Sequence, residues 1–157
     1  MTHPTRTLVT AYLAALVCFL AMDACWLSLM GPRFYAPALG PLMAPEVGWL
    51  AAVLFYPAYI AGLIYFAVLP ALKSGQPGAA RQALQALRRG SLLGLLAYAT
   101  YDLTNQSTLR DWPWSVTGVD MAWGAVVSGA ASGFGAYVAS RFASRLTSPP
   151  ARRTPSR

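Results

Sequence analysis

Histidine, cysteine and acidic residues are scarce in this sequence of 157 residues, which holds one histidine, two cysteines and five acidic side chains. The histidine, His3, lies in a polar amino-terminal segment. Neither a histidine-based zinc site nor a Ser-His-Asp triad can therefore be assembled. No glycine-rich phosphate loop and no GxGxxG fingerprint is present either. These absences exclude the commonest zinc, serine-hydrolase and nucleotide-binding sites, and we expect no cofactor.

Charged residues are also few, at 11% of the chain, whereas 56% of the residues are hydrophobic. This balance lies outside the usual range of soluble globular domains and indicates an integral membrane protein. The formal net charge is +7, but the basic residues border apolar segments instead of alternating with aromatic side chains, as they do on a nucleic-acid-binding face. We therefore expect anionic lipid headgroups, and no nucleic acid, as partners of the arginines.

Four apolar segments are candidates for transmembrane helices, at about residues 8–29, 47–69, 90–109 and 118–137. The first is longer than the apolar region of a secretory signal and lacks a small-residue cleavage site, so we expect an uncleaved helix. Residues 31–46 contain four prolines and two glycines, which predict a loop without a continuous helix. Residues 79–89 are amphipathic, which predicts a helix on the membrane surface that leads into the third span.

Small residues recur at four-residue spacing in the third and fourth spans, as at Gly90 and Gly94 and at Gly124, Ser128 and Ser132. Such rows let helices approach closely in lipid. The sequence therefore predicts an all-α, integral membrane four-helix bundle over residues 1–140, with the third and fourth helices as the closest pair. Residues 141–157 are rich in proline, serine and arginine, which predicts a disordered, basic cytoplasmic tail.

Lysine and arginine are unevenly distributed between the two sides of this topology. Ten of the twelve lie in the amino-terminal segment, in the connection between the second and third spans, or in the tail, whereas Arg33 and Arg110 lie on the other side. Because cytoplasmic loops are enriched in these residues, we expect both termini in the cytoplasm and a multi-pass protein of the bacterial inner membrane. All five acidic residues and all five tryptophans then fall in the outer half.

Three aspartates from three spans, Asp23, Asp102 and Asp120, reach a similar depth. Each stands roughly 20 to 25 Å from the basic end of its span at 1.5 Å per residue. An ionisable residue inside a membrane costs at least about 2.5 kcal/mol, so it usually faces the protein interior or water and finds a partner. We therefore predict a shared pocket, in which Asp102 is the candidate catalytic acid or base and Asp23 orients it.

Aromatic and polar side chains at the same level are the candidate ligand-binding residues. Trp26 and Trp123 each follow an aspartate by three residues and so share its helical face, and Tyr98, Asp102 and Asn105 form one polar stripe. The full set is Trp26, Tyr35, Tyr56, Tyr98, Tyr101, Thr104, Asn105, Asp120 and Trp123. This pattern favours a pocket that binds or modifies a lipid-like, amphipathic molecule entering from the outer leaflet.

The acidic residues also have structural interpretations. Thr117 and Asp120 match a helix capping box, and an ion pair with Arg110 is the alternative role for Asp102. The cluster would then only hold the bundle together, as in a partner subunit of a membrane complex. A proton relay in a transporter is a third possibility, for which a homodimer would supply further helices. No spaced set of cation ligands occurs, so no metal site is predicted.

Four short motifs contain most of these candidate residues. They read DACWL at residues 23–27, FYAPALG at 34–40, AYATYDLTN at 97–105 and DMAWG at 120–124. With them the sequence resembles, over roughly residues 8–137, a family of small bacterial membrane proteins called domain of unknown function 2177. The resemblance implies a four-helix inner-membrane protein and supplies no reaction. Carried over to this sequence, its motif positions are Asp23, Trp26, Tyr35, Tyr101, Asp102, Asn105, Asp120 and Trp123.

Overall fold

The computed structural model describes residues 5–147, and the regular structure in this range is helical. Four long helices follow one another: α1 at Thr5–Leu39, α2 at Trp49–Leu72, α3 at Ala79–Thr108 and α4 at Trp114–Thr147. The predicted all-α helical bundle is therefore confirmed for the described residues. His3 and residues 148–157 of the predicted tail lie outside this range.

Helix α1 continues beyond its predicted end, through a segment that contains Pro32 and Pro37. A π-helical turn spans Gly31–Tyr35, a further α-helical turn spans Ala36–Leu39, and each proline lies in the first two positions of its turn. A proline inside a helix removes one backbone hydrogen bond, and the change from α-helical to π-helical turns occurs at these prolines. The helix stops at Gly40, whose φ of +45° favours glycine. The prediction of a loop was therefore wrong for residues 31–39.

Helices α3 and α4 are also longer than predicted. The amphipathic segment at 79–89 and the third span form one helix of 30 residues, Ala79–Thr108. Helix α4 runs to Thr147, so the predicted boundary at residue 140 lies inside a helix. The prediction of a disordered tail was therefore wrong for residues 141–147, which form the last turns of this helix. Apolar Phe142 is partly buried in this extension, consistent with continued packing.

Close contacts between small residues join α3 to α4. A Cβ atom added to Gly90 would lie 2.6 Å from the carbonyl oxygen of Ser128, and one added to Gly94 would overlap the carbonyl oxygen of Gly124. The backbones of the two helices therefore approach each other closely, as rows of small residues allow. The prediction that these two helices form a close pair is confirmed.

The outer surface of the bundle is apolar and its interior contains small and polar side chains. Large hydrophobic residues face outward on every helix, for example Leu50 on α2 with 75% exposure and Leu92 on α3 with 59%. Ser128 and Ser132, in contrast, are fully buried. Soluble domains show the opposite distribution, whereas helices packed in lipid show this one. Two helices, Thr5–Leu39 and Trp49–Leu72, are long and apolar enough to cross a membrane.

Candidate functional site

The carboxylate of Asp23 joins three helices through hydrogen bonds. Its Oδ2 accepts a bond of 2.6 Å from the hydroxyl of Tyr56 on α2, and its Oδ1 accepts a bond of 3.1 Å from the indole N–H of Trp123 on α4. The residue is only 8% exposed, so these bonds replace contacts with solvent. Each oxygen of the Asp23 side chain thus accepts a hydrogen bond from a different helix. Asp23 therefore fastens α1 to α2 and α4.

A second network surrounds Asp120. The hydroxyl of Tyr35 donates to Oδ1 of Asp120 and accepts a bond of 3.0 Å from the indole N–H of Trp26. The rings of Trp26 and Trp123 stack, with centroids 4.2 Å apart and an angle of 6° between their planes. This stacked pair connects the network of Asp120 with that of Asp23. The predicted aromatic and acidic residues from α1, α2 and α4 thus lie together.

The proposed capping role of Asp120 was wrong. Helix α4 begins before Thr117, and the hydroxyl of Thr117 accepts a bond of 3.2 Å from the indole N–H of Trp112 and donates one of 3.0 Å to Oε1 of Gln106. Gln106 also donates to the carbonyl oxygen of Trp112, at 2.9 Å. Thr117 therefore closes the turn between α3 and α4, and the carboxylate of Asp120 is free to bind Tyr35. Sequence reasoning missed Gln106, because nothing in its spacing marks this contact.

Asp102 differs from the other two aspartates. Its side chain has no solvent exposure, and neither carboxylate oxygen has a hydrogen-bond partner within residues 5–147. An ion pair with Arg110 is therefore absent from this part of the chain. The predicted orienting contact from Asp23 is absent there too, since Asp23 bonds to other side chains. Asp102 does lie close enough to Asp120 for their charges to interact, so the three carboxylates share one region.

An apolar cleft separates α2 from α3 beside this network. Its volume is about 310 Å³, and it is lined by Phe55, Tyr59, Ala97, Tyr98 and Tyr101. An adjoining cleft of about 310 Å³ shares two of these residues and is lined by Phe55, Ala58, Tyr59, Gly62, Phe66 and Leu93. Together they form a groove along α2 and α3. Phe55 and Tyr59 were not among the predicted site residues, although their four-residue spacing places both on one helical face.

Tyr98 links the cleft with the carboxylates. Its ring lines the cleft and packs on Gly124, where an added Cβ atom would overlap the ring. Its hydroxyl lies within electrostatic range of Asp23 and Asp120. Among the described residues this hydroxyl has no hydrogen-bond partner, whereas the hydroxyl of Tyr59 is paired with Ser128 at 2.9 Å. Tyr98 can therefore offer a hydrogen bond to a molecule in the cleft.

Besides Tyr98, three of the predicted ligand-binding residues take no part in the hydrogen bonds of Asp23 and Asp120. The ring of Tyr101 is 57% exposed at the edge of the cleft, and its hydroxyl interacts with the side chain of Asn105. Thr104 faces outward, and its hydroxyl donates a bond of 2.5 Å to the carbonyl oxygen of Thr100.

No group of three or more His, Cys, Asp or Glu side chains in the described residues is arranged to hold a metal ion.

Comparison with known proteins identifies the family. The family described as "Predicted membrane protein (DUF2177)" matches residues 8–137, a range that contains Asp23, Asp102 and Asp120. No curated protein and no solved structure matches the chain significantly. The match covers most of the helical bundle, and it confirms the resemblance carried by the four motifs. The chain belongs to the DUF2177 family of predicted membrane proteins.

Proposed function

We propose that this protein crosses the bacterial inner membrane with all four helices and both termini in the cytoplasm. The outward-facing apolar residues on α3 and α4, such as Leu92 and Val126, support this arrangement. The excess of lysine and arginine at one end of the bundle supports the orientation. The aspartate network then lies near the outer surface of the membrane.

In this arrangement the protein binds an amphipathic, lipid-like molecule in the cleft between α2 and α3. The observation that carries this proposal is the apolar cleft of about 310 Å³ whose wall includes Tyr98. Its volume falls within the range of small-molecule sites, which are mostly apolar with a few polar groups. Phe55 is 47% exposed at the cleft, so a lipid chain can reach it from the bilayer. The Tyr98 hydroxyl is the hydrogen-bond donor for the polar part of the ligand.

We assign the role of acid or base toward that ligand to Asp102. It lies four residues after Tyr98 on the same stripe of α3, is fully buried, and has no hydrogen-bond partner within residues 5–147. A buried carboxyl group without a structural partner is a candidate acid or base. Asp23 and Asp120, which bind aromatic side chains, instead fix the shape of the region around it.

The hydrogen bonds of Asp23 and Asp120 favour a second candidate function. These bonds join α1, α2 and α4 through side chains of the protein alone. Such a purely structural network suits a non-catalytic subunit of a membrane complex. In that case the polar network stabilises the bundle and the cleft receives a side chain of a partner. Retention of a lipid-like molecule by the isolated protein separates the two candidates.

Replacing Ala97 with phenylalanine is expected to abolish this retention. Ala97 lines the cleft and takes no part in the hydrogen-bond network, so the larger ring fills the cleft and leaves the network intact. Purification in a mild detergent, followed by mass spectrometry of the extracted molecules, measures retention. We expect at least a tenfold loss relative to the unmodified chain, corresponding to about 1.4 kcal/mol of binding free energy.

The matched control is Ala99→Phe. Ala99 lies two residues further along α3, on a shallow outer surface formed with Leu96, Thr100 and Leu103, and the same increase in size there should leave retention unchanged. An equal amount of retained lipid in both variants would contradict the proposed cleft. Thermal unfolding of both variants checks that neither has lost its fold.

A further inference from the structure

A separate pocket lies at the arginine-rich end of the bundle, where the turn after α2 meets the first half of α3. Its volume is about 460 Å³, and it is lined by Gln76, Arg81, Leu84, Gln85 and Arg88. The last four residues follow the spacing i, i+3, i+4 and i+7, which places them on one face of α3. Two guanidinium groups and two amide side chains therefore surround one concave surface.

The turn that closes this pocket has a defined conformation. Gly75 and Gly78 have φ angles of +71° and +82°, values that favour glycine. The side-chain amide of Gln82 donates a bond of 3.1 Å to the carbonyl oxygen of Gln76, and the backbone amide of Gln76 donates one of 3.4 Å to the hydroxyl of Ser74. These contacts hold Gln76 over α3, so one wall of the pocket is formed in advance of binding.

The positive charge of the pocket is not neutralised by the protein itself. No acidic residue occurs in the sequence between Glu46 and Asp102, and neither Arg81 nor Arg88 forms an ion pair within the described residues. Guanidinium groups match the geometry of phosphate oxygens. The side chain of Gln76 is exposed and lines the same pocket, and its amide oxygen can accept a hydrogen bond. The pocket therefore combines two sites for an anion with one acceptor for a hydroxyl group.

We propose that this pocket binds the headgroup of an anionic phospholipid, a phosphodiester that carries a hydroxyl group. Arg81 and Arg88 hold the phosphate, and the side-chain amide oxygen of Gln76 accepts the hydroxyl. Leu84 lies between the two arginines and is 48% exposed, so it offers an apolar contact to the glycerol backbone that a free phosphate ion would not use. Basic pockets between helices at the cytoplasmic side of a membrane protein bind such headgroups.

The double variant Arg81→Gln, Arg88→Gln tests this assignment. The purified protein in mixed micelles is titrated with phosphatidylglycerol or with phosphatidylcholine, and bound lipid is measured by native mass spectrometry. We expect a preference for phosphatidylglycerol that falls at least tenfold in the double variant, since both sets of charge-assisted hydrogen bonds from guanidinium groups to the phosphate are lost. Inorganic phosphate at the same concentration should leave the bound lipid in place.

The control is the double variant Arg89→Gln, Arg141→Gln, which loses the same charge from exposed positions that do not line the pocket. It should keep the preference within about twofold, because exposed charges that do not contact the bound headgroup are screened by salt. A loss equal to that of the first variant would overturn the proposal, because general attraction to anionic lipid would explain it. Displacement of the lipid by inorganic phosphate would overturn it as well. Neither result depends on the cleft between α2 and α3.

Discussion

Replacing Gly94 with alanine is expected to destabilise the bundle by about 3 kcal/mol or more, at the upper end of the range for overpacked cores. The new Cβ atom would overlap the carbonyl oxygen of Gly124, which belongs to the backbone of α4 and cannot rotate away. Helices α3 and α4 would have to separate, and the contact of Gly90 with Ser128 would open with them. Unfolding in mixed micelles titrated with a denaturing detergent measures the loss.

Gly118→Ala is the matched control for this substitution. Gly118 also lies within a helix, but no atom comes within 4 Å of the position that its Cβ would occupy. Alanine favours a helix over glycine by about 1 kcal/mol, so this variant should be as stable as the original chain or more stable. If both variants unfolded at the same fraction of denaturing detergent, the close approach of α3 and α4 would be contradicted.

The pairing of α3 with α4 was predictable because it depends on residue size alone. Every residue in the rows at Gly90 and Gly124 is small, and a row of small residues on a transmembrane helix has few uses other than close packing. The positions of α1 and α2 around this pair were not predictable. Their contacting residues, such as Phe19 and Ile60, are apolar like the residues that face outward, so the sequence does not distinguish the two faces.

The candidate site was predictable in composition but not in its hydrogen bonds. The three-residue spacing in DACWL and DMAWG places Trp26 beside Asp23 and Trp123 beside Asp120. In the structure neither tryptophan binds the aspartate of its own motif, since Trp123 donates to Asp23 and Trp26 donates to Tyr35. Which donor reaches which carboxylate depends on how each helix is rotated in the bundle. Helical spacing describes one helix at a time and contains no such information.

Tyr35 and Thr104 show where inference from neighbouring residues in the sequence fails and where it succeeds. Tyr35 reaches Asp120 only because α1 continues through two prolines to Leu39, and proline content had predicted a loop there. Thr104 lies two residues after Asp102, about 200° around the helix at 3.6 residues per turn. This spacing alone indicates the opposite face, where the structure places it. Thr104 therefore did not belong with the stripe of Tyr98 and Asp102.

Asp23 and Asp102 are expected to respond in opposite directions to replacement by alanine. Asp23→Ala leaves the hydroxyl of Tyr56 and the indole N–H of Trp123 without their acceptor. Both donors are partly buried, and an unpaired donor of this kind costs about 1 kcal/mol, so we expect a loss of about 2 kcal/mol in the free energy of unfolding. Asp102→Ala removes two buried oxygens that have no partner within residues 5–147. We expect that variant to be as stable as the original chain, or more stable by about 1 kcal/mol.

The same pair of variants separates the two candidate functions. A buried carboxyl group that contributes nothing to stability is typical of a residue retained for activity, because functional sites often reduce stability. If Asp102 acts on a lipid-like molecule that Tyr98 holds in the cleft, Asp102→Ala should fold normally and change the chemical form of the retained lipid, as measured by detergent unfolding and mass spectrometry of one preparation. A loss of stability equal to that of Asp23→Ala, with the retained lipid unchanged, would instead make Asp102 a structural residue and favour the partner-subunit function.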